Sequence, residues 1–165
     1  MIRDYTTDDA PELARLMWDY RAAILGYGGR TAEVFDRYYP KDAYGAFIEG
    51  LPDLHAETGA IFLAELDGTV IGCAMLIPTR NPHQIEIKRI YVDPAHRGKD
   101  VAPALIAAAT DRARAMGYAE MVLDTVKTLV PAIRLYERLG FETIEPFYEL
   151  KPDTGDFVCF FGIRL

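Results

Sequence analysis

The chain has 165 residues, 50% hydrophobic and 26% charged, with 18 Lys and Arg against 25 Asp and Glu for a net charge of −7. That length suits one domain on a prior of roughly 150 residues per domain, and the composition excludes a disordered or collagen-like chain. The negative overall field, with no run of four Lys or Arg, argues against nucleic acid or an anionic lipid surface as a partner, and no apolar stretch approaches the ~20 residues that cross a bilayer.

Residues 1–6 suit a short first strand, and the charged start Met1-Ile2-Arg3-Asp4 lacks the pattern of a secretory leader. Thr7-Asp8-Asp9-Ala10-Pro11 follows, with a hydroxyl and carboxylates able to cap a helix and a proline that the first turn tolerates. The helix is predicted to reach about residue 25, before Gly26, Gly28 and Gly29. A second helical region is expected over 31–50, interrupted by Pro40 and closed by Gly50 and Pro52. Strands are then predicted at 60–66 and 69–77, flanking Asp67-Gly68, a strong two-residue hairpin signal. A further strand, 85–92, follows Asn81-Pro82.

From 101 to 116, Ala102, Leu105, Ile106, Ala109, Ala113 and Met116 recur at helical spacing, and Gly117 ends that helix. A strand at 121–126, a helix at 131–139 ended by Gly140, and strands at 141–148 and 157–163 complete the order. The last strand is apolar throughout, as for a strand buried on both faces, and is compatible with a homodimer contact. The strand–helix–strand unit in the second half implies one parallel pair and a right-handed crossover in a mixed α/β domain.

Cys73 and Cys159 lie in apolar runs without paired metal-ligand spacing, and read as buried free thiols of a reducing, cytoplasmic compartment. His55, His83 and His96 are far apart in the sequence. No metal site is expected.

The stretch that carries chemistry is Ile90-Tyr91-Val92-Asp93-Pro94-Ala95-His96-Arg97-Gly98-Lys99-Asp100-Val101-Ala102-Pro103. A strand ends, a tight loop follows, and a helix opens near Val101. Such a loop offers backbone N–H groups at the positive end of a helix dipole, which suits a phosphate, and Arg97 and Lys99 add formal charge there. Taken alone, Arg-Gly-Lys is better read as a solvated surface loop, and it is the strand–loop–helix context that favours the phosphate reading. A nucleoside-triphosphate or dinucleotide site is unsupported, because neither G-x-x-x-x-G-K-[S/T] nor a strand-following G-x-G-x-x-G occurs.

Val92-Asp93-Pro94-Ala95-His96-Arg97-Gly98-Lys99 followed by a helix resembles the acyl-CoA pyrophosphate loop of the GNAT superfamily of N-acyltransferases. Downstream, Ala132-Ile133-Arg134-Leu135-Tyr136-Glu137-Arg138-Leu139-Gly140-Phe141 is similar to the A-x-x-L-Y-x-x-x-G-F element of that family. The likeness covers most of the chain, strongly from about residue 60 and weakly over 8–55. It implies one GNAT-like domain over 1–165, with a central, mostly antiparallel sheet of about seven strands, one parallel βαβ crossover and about four flanking helices.

It also implies acetyl-CoA as the acyl donor, held by Ile90, Tyr91, Val92, Arg97, Gly98, Lys99, Asp100, Val101 and Ala102, and an amine acceptor that attacks the thioester directly. Tyr136 matches the tyrosine of the L-Y pair and would be the acid for the departing thiolate; periodicity by itself makes it a core aromatic. Glu86, six residues before Val92, stands where some members carry a catalytic glutamate, and is equally well read as the partner of Lys88 or Arg89. Asp124 could also reach the acceptor. Cys73 has no nearby His in sequence, so no covalent step is expected. Two departures stand out: Asp100 where the family usually has glycine, and Leu129 where asparagine is frequent. An aspartate facing the phosphates would weaken the donor, and both departures support the alternative of a catalytically weak or inactive acyl-CoA-binding module. The acidic balance mildly favours a cationic amine as acceptor.

Overall fold

A computed structural model of the chain describes residues 1–56, 59–151 and 154–165. The N-terminal strand β1 (Ile2–Asp4) leads through a 3-10 turn at Thr7–Asp9 into α1 (Ala10–Leu25). The side-chain cap is Thr6, one residue before the stretch the sequence suggested, and it closes on Asp9 within that stretch. The N–H and hydroxyl of Thr6 donate to the Asp9 carboxylate at 2.8 and 2.9 Å, and Arg3 donates to both of its oxygens at 2.7 and 2.8 Å. These bonds hold the Asp9 carboxyl well below the usual carboxylate range, the Arg3 bond being the largest cause.

The region expected as one interrupted helix is three: α2 (Gly29–Tyr38), α3 (Lys41–Glu49) and α4 (Leu51–Ala56). Pro40, extended at φ −62° and ψ 143°, separates the first two as anticipated. Gly50 and Pro52 do not end the helical region. Gly50 keeps a helical φ and ψ, and Pro52 falls in the first turn of α4, where its missing N–H would have no partner anyway. Among the described residues the α-helices therefore number six.

β2 (Ala60–Leu66) and β3 (Thr69–Pro78) form the anticipated hairpin, with Asp67 and Gly68 at φ 50° and 77°. β4 (Gln84–Val92), α5 (Val101–Ala115) and β5 (Glu120–Val126) make the crossover, and α6 (Val130–Arg138), β6 (Glu142–Thr143) and β7 (Val158–Arg164) follow. Among the described residues seven strands are ordered β1-β2-β3-β4-β5-β7-β6, and every pair is antiparallel except β4 with β5. The strand predicted over 141–148 pairs only at Glu142–Thr143. Pro146 has no N–H for a ladder, and beyond it the rings of Phe147 and Tyr148 pack on Phe160 at 5.5 and 5.2 Å.

Helices cover both faces of the sheet. Leu105, Ile106, Ala109 and Ala113 of α5, with Tyr136 of α6, bury one face over Ile85, Ile87, Met121 and Phe161. Leu13, Leu16 and Met17 of α1, with Tyr44 and Ile48 of α3 and Leu51 of α4, bury the other over Leu63, Met75 and Tyr91. Where β3 meets β4 the backbones approach closely. A Cβ on Gly72 would lie 2.7 Å from the Tyr91 carbonyl oxygen, so this position takes no side chain without a shift.

Candidate active site

β4 is irregular. Cys73 pairs with Tyr91, but Met75 pairs with Lys88, so Ala74 faces two residues, Arg89 and Ile90. The extra residue is a bulge, and Arg89 sits in it at φ 52°. The parallel ladder between β4 and β5 holds only from Gln84 with Glu120 to Glu86 with Val122. Beyond Glu86 the strands part and leave a cleft of about 530 Å³, floored by Ile87–Ile90 and Leu123–Val126. Aromatic side chains of α1, α2 and α3 (Tyr20, Phe35, Tyr44 and Phe47 among them) wall it on one face. Leu129, Ala132 and Tyr136 wall it on the other. A 2.8 Å hydrogen bond between the Thr31 and Thr128 hydroxyls ties α2 to the turn before α6 across this opening.

Tyr136 is buried, its ring 6.0 Å from that of Phe141 and 6.2 Å from that of Phe161. Burial first, and the Asp124 charge second, push its phenol far above the ordinary value, so the hydroxyl keeps its proton at neutral pH. Tyr136 is thus a core aromatic that also borders the cleft.

Glu86 is on the opposite face of the sheet. It accepts from Lys88, whose ammonium also reaches Asp124 Oδ1 at 3.4 Å. Burial pushes Glu86 up to about 7, and neither the Lys88 charge nor its hydrogen bond cancels that. Asp124 is half-buried, which works to raise its carboxyl, yet Lys88 and hydrogen bonds from Glu86 and Tyr148 hold it below the ordinary value. Burial works against the Lys88 charge too, but the two carboxylates outweigh it and its value rises. The cluster thus keeps an ammonium between a charged Asp124 and a Glu86 poised to gain or lose a proton near neutrality. Lys88 and Asp124 face the large cleft with Tyr136, while Glu86 lines a second cavity with Pro78, Arg80 and Phe147.

Of the nine expected donor-loop residues, Ile90 is in the cleft, and Tyr91 and Val92 are buried in opposite cores. Asp93 accepts from Arg15 at 3.4 Å, and Arg15 also donates to the Val70 carbonyl at 2.6 Å, which fixes the start of the loop. Arg97, Gly98, Lys99 and Asp100 are exposed. Arg97 donates through Nε to the Val92 carbonyl at 3.1 Å, with its guanidinium carbon 5.9 Å from the centre of the Tyr91 ring. α5 then opens at Val101, so the N–H groups of Val101 and Ala102 have no intrahelical acceptor. Asp100 takes a left-handed conformation, φ 55° and ψ 20°. That is the physical reason a glycine suits the position.

Cys73 is buried and its thiol is pushed up to about 12 by burial. His55 is buried with Nδ1 2.6 Å from the Leu76 carbonyl oxygen. Among the described residues no three His, Cys, Asp or Glu side chains are grouped so as to hold a metal ion, and no helix is long and apolar enough to cross a membrane. Sequence reasoning missed the aromatic wall and Arg89. Adjacent cations at 88 and 89 within the strand Gln84–Val92 were the available signal for the bulge.

Compared with known proteins, residues 11–141 match the sequence profile of the acetyltransferase (GNAT) family. The uncharacterized N-acetyltransferase YjgM of Escherichia coli is 30% identical over 148 residues, 88% of this chain and 83% of that one. The uncharacterized N-acetyltransferase C1271.07c of Schizosaccharomyces pombe is 43% identical over 81 residues, 49% of this chain, and the match spans only 50% of that protein's length. Among solved structures, Salmonella typhimurium yncA with its cofactor acetyl-CoA superposes with a TM-score of 0.69 at 24% identity, covering 99% of this chain and 92% of that one.

Proposed function

The chain belongs to the acetyltransferase (GNAT) family, and on that premise we propose that it transfers an acetyl group from acetyl-CoA to a primary amine by direct attack in a ternary complex. The observation that carries this reading is the parting of β4 and β5 after Glu86, which opens the sheet beside the exposed basic loop. Its residues fit the donor: Arg97 and Lys99 offer positive charge, and the free N–H groups of Val101 and Ala102 offer donors, for a pyrophosphate. Asp100 is exposed, so its carboxylate can remain in solvent.

When bound, acetyl-CoA supplies an activated thioester. Tyr136 holds a proton at Oη, as an acid for the leaving thiolate must. The Glu86–Asp124 pair can take a proton from the attacking ammonium, with Glu86 the titrating member near pH 7 and Lys88 holding the pair together. The aromatic wall, with Tyr44 buried and Tyr20, Phe35 and Phe47 half-buried, limits the water that can reach the reacting carbonyl.

Two measurements test the proposal: the melting temperature with millimolar acetyl-CoA, and CoA thiol released in a panel of amines. A raised melting temperature with turnover of at least one amine is expected. Binding without turnover would leave an acyl-CoA-binding module, and no binding by folded protein would remove the donor assignment.

A further inference from the structure

We propose that the guanidinium of Arg89 anchors a carboxylate of the acceptor, so that the accepting amine belongs to an aromatic amino acid rather than to a bare amine; this rests on the acetyl-transfer reading above. Arg89 is the bulge residue of β4 and borders the large cleft. Its guanidinium carbon lies 4.9 Å from the centre of the Phe47 ring, and its buried Nη1 has no hydrogen-bond partner. The neighbouring Lys88 has two carboxylate partners, while Arg89 is in no ion pair among the described residues.

The charge accounting points the same way. Glu86, Asp124, Lys88 and Arg89 balance in formal charge, but both carboxylates are taken by Lys88, and the Arg89 guanidinium is left at the cleft floor without an anionic partner among the described residues. A guanidinium presents a planar fork that a carboxylate fills with two parallel bonds, and unpaired buried N–H groups disfavour a ligand that cannot fill it. The surrounding surface selects the rest of the ligand. Phe35, Tyr39, Tyr44 and Phe47 form a connected set of rings with centroids 5.0–6.4 Å apart, suited to a flat apolar group. Arg89, Lys88 and Asp124 line the same cleft, so an amine next to a carboxylate held at Arg89 stays in the cavity that Asp124 borders.

The test compares matched pairs in the full chain with acetyl-CoA: phenylalanine against phenethylamine, and tryptophan against tryptamine, by CoA thiol release. The carboxylated member should have the higher kcat/KM, by roughly 10²-fold for a buried charge pair. Arg89→Gln should collapse that ratio toward one, and Arg89→Lys should restore part of it. Calorimetry with 3-phenylpropionate and 3-phenylpropanol reads the same contact without turnover. Only the acid should bind measurably, and Arg89→Gln should weaken it by at least tenfold. Acid binding that depends on Arg89 without acetyl transfer would support the anchor and overturn the transferase reading. Transfer to carboxylate-free amines as good as to their partners in the wild-type protein would do the reverse, whatever the variants do. Failure of the acid to bind better than the alcohol, with no preference in turnover, would also overturn the anchor.

Discussion

The Tyr148 hydroxyl donates to Oδ2 of Asp124 at 3.0 Å. Tyr148 follows Pro146, where β6 has ended, and the freed segment brings its phenol to a carboxylate on β5. That bond, with Lys88, keeps Asp124 charged and leaves Glu86 as the carboxyl that holds the titrating proton.

Glu86 should therefore show in two pH profiles of opposite slope. Proton removal from the acceptor needs the ionised form, so kcat/KM should rise with pH through about 7. Stability runs the other way. The folded value of about 7 lies above the ordinary 4.5, so the contribution of Glu86 is fully present below pH 4.5 and is lost as pH rises to about 7. Glu86→Gln should lower kcat by roughly 10²-fold and flatten both profiles across that window. Rate profiles and melting curves from pH 4 to 8 check this, and an unchanged acid limb in the variant would reassign the base.

Tyr136→Phe keeps the ring contacts with Phe141 and Phe161 and removes only the hydroxyl. An acid role predicts a loss of roughly 10²-fold in kcat with CoA affinity unchanged. A purely structural hydroxyl predicts unchanged turnover and a loss of ~1 kcal/mol of stability. Single-turnover rates with the melting temperature separate the two.

Arg97→Glu reverses a charge on the exposed loop. Binding of CoA should weaken by at least roughly tenfold, while pantetheine fragments lacking the pyrophosphate should lose much less. Equal losses by calorimetry would move the pyrophosphate elsewhere.

Asp100→Gly removes a left-handed non-glycine residue and a negative charge beside that loop. It should raise stability by up to ~1 kcal/mol and tighten CoA by a few-fold. Tighter CoA with unchanged stability would assign the whole effect to charge.

Gly72→Ala puts a methyl 2.7 Å from the Tyr91 carbonyl oxygen, so β3 or β4 must move. Overpacking of this kind costs ~1–3 kcal/mol, and a chain of this size loses roughly 2–4 °C of melting temperature per kcal/mol. A variant as stable as wild type would mean that the two strands separate easily here.

Much of the sheet was legible because its signals are local. Asp67-Gly68 makes its turn and the 101–116 periodicity makes its helix, since each depends on neighbours within one or two turns. The loop from Val92 to Val101 was legible for the same reason. What escaped was set by long-range packing. Pro52 reads as a stop, but Leu51 is fully buried, and its burial favours continuing into another short helix. The 141–148 segment has strand composition, yet Phe147 and Tyr148 gain more by packing on Phe160 than β6 can offer beyond Pro146. At the site, Tyr136 and Glu86 were visible singly. That they approach the gap from opposite faces, with Asp124 and Lys88 between the two cavities, follows from where two strands stop pairing, which no spacing encodes.

The bulge at Arg89 also bears on how the chain could lose its site. Ile85 and Ile87 face the α5 side and Lys88 the other. Past the bulge Ile90 and Val92 again face α5 and Tyr91 faces α1. Excising Arg89 would thus leave every inward and outward side chain in phase, so both cores would survive the deletion of that single codon. The straightened strand would be free to continue its ladder with β5 and seal the sheet. The register of the sheet does not demand the extra residue, and its ring contact with Phe47 lies in the cleft, so its persistence in a lineage would report selection on the opening rather than on the fold.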